Sequence, residues 1–193
     1  MTDVGFAVSG RTLPADYAFA LWREVTRALP WLEADETSGI LPLRAPEHGG
    51  DLLPRRARLV LRIPADCLAR ALQLSGQELD VGGHLLAVGE ARERPLQSSS
   101  TLHAQLVASG APEEEFLVAM AGDMRKSGIA GKLICGKRHV LPGSAGTITG
   151  YSLVVHELEP HDALRLQYRG LGGERHFGCG LFIPYKEIAN LDV

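Results

Sequence analysis

Pro95-Leu-Gln-Ser-Ser-Ser100 is the stretch on which the fold turns. It is small and polar, it opens on a proline, and it reads as a linker between two periodic regions. Upstream, Val4, Phe6 and Val8 alternate with smaller residues in the manner of a half-buried strand. Pro14 and Asp16 then open a helix whose apolar positions Tyr17, Leu21, Val25, Ala28 and Leu29 fall at helical spacing, and Pro30 stops it. Residues 33–54 are rich in Gly, Pro and acid around Ile40-Leu41, which predicts one strand inside a loose excursion. Arg58-Leu-Val-Leu-Arg-Ile63 reads as a strand, Pro64 to Leu74 as a short helix, and Leu79 to Val88 as a last strand or hairpin. Downstream the order returns: a strand at Leu102–Ala108, then a helix opened by Pro112 and Glu113 to Glu115, whose charges suit the N-terminal end of a helix dipole. Strands at Lys132–Leu141 and Thr147–Leu158, a helix from Pro160 to Tyr168 and a strand at Leu181–Ile183 complete it. Each half follows the βαββαβ order, so the expected fold is α+β, two tandem ferredoxin-like, RRM-like units, with domains at residues 1–95 and 101–193.

At 193 residues, 45% hydrophobic and 22% charged, the chain can bury a core and does not have the composition of a disordered protein. The three cysteines, Cys67, Cys135 and Cys179, are far apart and odd in number, which argues against a disulfide framework or a thiolate zinc site. No H-x-x-x-H pair exists among the seven histidines, so neither a metal nor another cofactor is expected. The beginning of the chain has no basic-then-apolar run, and no stretch reaches the roughly 18 apolar residues of a membrane span, so a cytoplasmic protein without membrane contact is expected.

The net charge of −3 hides segregation. Residues 33–51 hold five acids against Arg44, whereas Arg125, Lys126, Lys132, Lys137 and Arg138 follow one another with no acid between, and Arg55, Arg56, Arg58, Arg62 and Arg70 face Asp66 alone. Such runs usually form solvated faces, but several together favour a phosphate-backbone partner. The densest chemical signal is Gly170-Leu-Gly-Gly-Glu-Arg-His-Phe-Gly-Cys-Gly180. Glycines here let backbone amides approach a phosphate, so Gly172, Gly173, Gly178 and Gly180 with Arg175 are candidate phosphate contacts beside the five cations of the 125–138 run. A tight structural turn is the alternative. His176 and His48 are the histidines placed for proton transfer, because an unperturbed imidazole titrates near neutrality. Gly131-Lys-Leu-Ile-Cys-Gly136-Lys137 has Walker A spacing, yet Arg138 occupies the Mg²⁺-binding Ser/Thr position and the run is strand-like, so a nucleotide triphosphatase is rejected.

The element order together with Phe6-Ala-Val-Ser-Gly-Arg-Thr-Leu-Pro-Ala-Asp16, Ala57 to Pro64, Gly76 to Gly89 and above all Leu166 to Pro184 resembles the CRISPR repeat-RNA processing endoribonucleases of the RAMP superfamily. The resemblance implies a metal-independent enzyme that binds CRISPR repeat RNA, cuts precursor crRNA into 2′,3′-cyclic phosphate and 5′-hydroxyl ends, and often keeps the product, with other CRISPR effector subunits as further candidate partners. Where the family carries histidine near its first helix, this chain has Tyr17, Leu32 and Leu41. Tyr17 thus joins His176 and His48 as a catalytic candidate, with a silent crRNA-binding subunit and a protein-interaction scaffold as alternative readings.

Overall fold

The computed structural model describes residues 1–14, 16–43, 52–54, 56–143 and 146–185. Strand β1 (Thr2–Ser9) leads to helix α1 (Tyr17–Ala28), a 3-10 turn at Pro30–Ala34, and strands β2 (Gly39–Leu41) and β3 (Arg58–Ile63). A short helical passage containing α2 (Leu68–Ala71) is followed by the hairpin β4 (Glu78–Val81) and β5 (His84–Pro95). The five strands form one antiparallel sheet ordered β2-β3-β1-β5-β4. Then come β6 (Leu102–Ala108), α3 (Glu113–Lys126), β7 (Lys132–Gly143), β8 (Gly146–His156), α4 (Pro160–Arg169) and β9 (Ile183–Pro184). Their sheet is antiparallel and ordered β7-β8-β6-β9. The second half keeps βαββαβ, while the first half closes on a hairpin and so carries one strand more than that order. The fold is the expected α+β arrangement of two ferredoxin-like units.

Side-chain alternation decides what each sheet buries. Val4, Phe6 and Val8 of β1 share one face with Leu59, Leu61 and Ile63 of β3, and α1 covers that face with Leu21 and Val25. In the second unit Leu102, Ala104 and Val107 of β6 meet Tyr151, Leu153 and Val155 of β8 beneath Phe116, Met120 and Met124 of α3. The two cores are separate clusters. Pro30 ends α1 as its sequence position requires, since the ring cannot donate the next helical hydrogen bond.

The units are joined by polar and aromatic side chains. Arg62 lies on the opposite face of β3 from Leu61 and is fully buried. Its guanidinium donates to both carboxylate oxygens of Asp3 (2.7 and 2.9 Å) and to the carbonyls of Phe182 (2.7 Å) and Gln167 (3.3 Å) in the second unit. Gln167 in turn donates its amide to the Gln97 carbonyl (2.8 Å). Phe19 of α1 stacks on Phe177, with ring centroids 4.2 Å apart. This seam places the glycine-rich segment against α1 and β2.

Candidate active site

The segment after α4 is glycine-rich for packing reasons that its sequence does not reveal. Gly170 leaves the helix at φ +67°, and a 3-10 turn at Arg175–Phe177 follows Glu174, itself left-handed at φ +61°. Gly178 then passes β2 so closely, at φ +90°, that a Cβ there would sit 3.0 Å from the Ile40 carbonyl oxygen and from Pro42. The reciprocal contact is Gly39, where a Cβ would drive into the Arg175 carbonyl. Substituting either glycine must separate the segment from β2. The expected open anion nest is therefore corrected in part: Gly178 and Gly180 are buried, and their amides already donate to Arg175 (3.0 Å) and Leu106 (2.7 Å) carbonyls. Gly172 and Gly173 stay exposed.

His176 is held on two sides. Its ring stacks on Trp22 of α1, centroids 4.1 Å apart and 8° from coplanar, and its Nε2 lies 3.0 Å from the Asp35 carbonyl oxygen. A carbonyl only accepts, so Nε2 carries the hydrogen and the neutral ring keeps its lone pair on Nδ1. Tyr17, Leu21, Ile40 and Pro42 line the same shallow cleft as His176 and Phe177. Two of the three catalytic candidates are thus brought together, and the third, His48, lies outside the described residues.

Tyr17 is anchored by its hydroxyl. The Leu43 amide donates to it (2.9 Å), and it donates back to the Leu43 carbonyl (3.3 Å). Burial pushes the phenol above its ordinary value, outweighing the downward pull of the Leu43 amide. The group therefore stays protonated at neutral pH and can only give a proton, never take one.

Arg175 departs from the expectation of a phosphate contact. It is 9% exposed, and its guanidinium donates to the carbonyls of Arg169 (2.6 Å), Thr37 (3.1 Å) and Tyr168 (3.3 Å). Burial and the neighbouring Arg62 bring its pKa down to about 10, so it is still a cation at neutral pH. Its carbonyl contacts make it a tie between the turn before β2 and the end of α4.

The cationic run is spread over the second unit and lies on its surface. Arg125 and Lys126 end α3, Lys132 opens β7, and Lys137 and Arg138 sit at the bulge where β7 slips register against β8, all of them exposed. The acid-free spacing read along the chain does not survive in space. Lys126 pairs with Asp123 (3.3 Å) and Lys132 with Glu157 (2.8 Å). Arg138 lies over the Tyr151 ring, 5.9 Å from its centroid. Among the described residues, no group of three or more His, Cys, Asp or Glu side chains gathers where a metal could bind, and no helix is long and apolar enough to cross a membrane.

Sequence reasoning missed Phe19, Trp22 and Asp35, and it counted Arg62 in a run of cations facing a phosphate partner, whereas Arg62 is buried on Asp3 and the Phe182 and Gln167 carbonyls. Phe19 and Trp22 carried a signal, since their i, i+3 spacing gives α1 a second apolar stripe beside the one through Leu21 and Val25. Arg62 carried none: at its parity on β3 an arginine reads as solvent-facing.

Known proteins agree with this architecture. A protein from Myxococcus xanthus (strain DK1622), named CRISPR-associated endonuclease Cas6, is 31% identical over 192 residues, covering 98% of this chain and 84% of the relative. A Cas6-related protein from Pyrococcus furiosus superposes with a TM-score of 0.68 at 12% identity, over 96% of this chain and 99% of that one. A RAMP protein described as binding different RNA substrates gives 0.67 at 12% identity, over 96% and 100%. At that identity the two structures speak for the fold alone. The family model described as Cas6 Crispr matches residues 2–187, taking in both sheets, the cleft and the glycine-rich segment, and the chain therefore belongs to the Cas6 CRISPR family.

Proposed function

We propose that this protein binds CRISPR repeat RNA and cuts it as an endoribonuclease, maturing precursor crRNA. The observation that carries the reading is His176, an imidazole fixed by Trp22 and Asp35 in a cleft of a Cas6-family fold. Likeness over 98% of this chain to a relative named as a Cas6 endonuclease supports it.

In the proposed reaction the RNA supplies its own nucleophile. A 2′-hydroxyl attacks the adjacent phosphorus, the bond to the departing 5′-oxygen breaks, and the products end in a 2′,3′-cyclic phosphate and a 5′-hydroxyl. The protein aligns the attack, accepts the 2′-hydroxyl proton, returns a proton to the 5′-oxygen and stabilises the phosphorane charge. With its lone pair on Nδ1, His176 suits the base. His48 is the proposed donor, five residues beyond Leu43, the residue that Tyr17 holds. An internal nucleophile needs no metal, so cutting should continue in excess chelator. Single-turnover assays on a radiolabelled repeat RNA, with and without chelator, test the reading; tight binding without any cut would leave the silent-binder alternative.

Tyr17 separates these roles. As an anchor, Tyr17→Phe loses two hydrogen bonds and should lower stability by about 1 kcal/mol, while slowing cleavage by less than ~10-fold. A loss of ~10²-fold or more at unchanged stability would make Tyr17 the proton donor instead.

Exposed cations make a second test of the RNA reading, and the pair at the β7 bulge is the sharpest place for it. Removing a single phosphate contact should flatten the slope of log affinity against log salt by about 0.7–0.9. Lys137→Ala with Arg138→Ala should therefore flatten it by about 1.5, whereas Lys126→Ala and Lys132→Ala, whose ammonium groups already have carboxylate partners, should each change it less. Affinity titrations across a salt series read this directly.

A further inference from the structure

The turn before β2 holds His176 from across the seam, and Asp35 closes that turn. Its Oδ1 accepts from the Thr37 amide (2.9 Å) and hydroxyl (2.6 Å), and its Oδ2 accepts from the Ser38 hydroxyl, which is fully buried. Burial works against the charged carboxylate, but the Ser38 and Thr37 donors outweigh it and hold the group below its ordinary range. The closed turn presents two main-chain carbonyls to consecutive residues of the other unit. Asp35 O meets His176 Nε2 at 3.0 Å, and Thr37 O accepts from Arg175 Nε at 3.1 Å.

We propose that Asp35 is a positioning residue: its carboxylate closes the turn whose carbonyl fixes the tautomer of His176, leaving Nδ1 as the basic nitrogen. Trp22 sets the ring plane by stacking, and the Asp35 carbonyl sets the rotation within that plane. The inference rests on the reading of His176 as a proton-transfer group for its catalytic consequence, but the tautomer itself is measured without RNA. Opening the turn frees the ring to exchange its hydrogen between nitrogens. Asn at position 35 retains an oxygen that can accept from Thr37, so it should preserve the arrangement.

Long-range proton–nitrogen NMR on protein labelled with ¹⁵N-histidine, above the pH at which imidazole titrates, reads the tautomer. His176→Gln identifies the signal. The unaltered protein and Asp35→Asn should show hydrogen on Nε2, while Asp35→Ala should show both tautomers and cleave a CRISPR repeat RNA ~10–10²-fold more slowly in single turnover, with affinity within a few-fold. If Asp35→Ala does not fold, Thr37→Val removes one donor to the same carboxylate and should give a partial shift. Hydrogen on Nδ1 in the unaltered protein overturns the proposal, as does an unshifted Nε2 tautomer in folded Asp35→Ala or, failing that, in Thr37→Val. A shifted tautomer with unchanged cleavage supports the positioning role and removes His176 from proton transfer.

Discussion

His176→Ala should slow single-turnover cleavage of a CRISPR repeat RNA by ~10²–10⁴-fold while leaving affinity within a few-fold, the range expected when a general acid or base is removed. The expectation follows from how the ring is held. Trp22 and the Asp35 carbonyl restrain it, so the binding of RNA need not order it, and Nδ1 is the ring nitrogen that the Asp35 contact leaves free. Removing the imidazole also removes its stacking on Trp22 across the seam between the units, so rate must be separated from folding. His176→Phe keeps an aromatic ring on Trp22 and loses only the nitrogens; it should cleave as poorly as the alanine variant while unfolding nearer the temperature of the unaltered protein. A variant that binds far more weakly yet cuts at the same saturated rate would make His176 a phosphate clamp.

The largest stability effect is expected at Arg62. Arg62→Met leaves Asp3 as a partly buried carboxylate without its partner and the Phe182 and Gln167 carbonyls without their donor. Breaking a buried pair from one side typically costs about 3–5 kcal/mol. For a chain of this length each kcal/mol moves the melting temperature by about 2–4 °C, so calorimetry should show a fall of roughly 10 °C. Combining it with Asp3→Leu should restore only part of the loss: the carboxylate is gone, yet the two carbonyls from the second unit remain unanswered. Full recovery by the double replacement would mean that the Asp3 pair matters and the reach across the seam does not.

The second unit was legible element by element because each signal was local: Pro112 and three glutamates open α3, Pro160 opens α4, and alternation marks β6. In the first unit the same logic found β1, α1 and β3. The site was legible only in outline. His176 and Tyr17 could be named as candidates, but what holds them comes from residues remote in sequence: Asp35 is 141 positions from His176, and Thr37 is 138 from Arg175. The glycines misled for the same reason. A glycine that lets a loop approach a phosphate and one that lets it approach a strand look alike along the chain, and Gly178 proves to be the second kind. Arg175 likewise reads as a surface cation until the Thr37, Tyr168 and Arg169 carbonyls surround it.

The most direct test of the function is a pair of repeat RNAs that differ in one oxygen. The cut in an all-ribose repeat is mapped first, and the nucleotide on its 5′ side is then replaced by its 2′-deoxy form. The unaltered protein should cut the all-ribose RNA at one site, with chelator present, to a 2′,3′-cyclic phosphate end, and should bind the deoxy RNA without cutting it. Equal cutting of the two RNAs, or no cutting of either, would contradict the account.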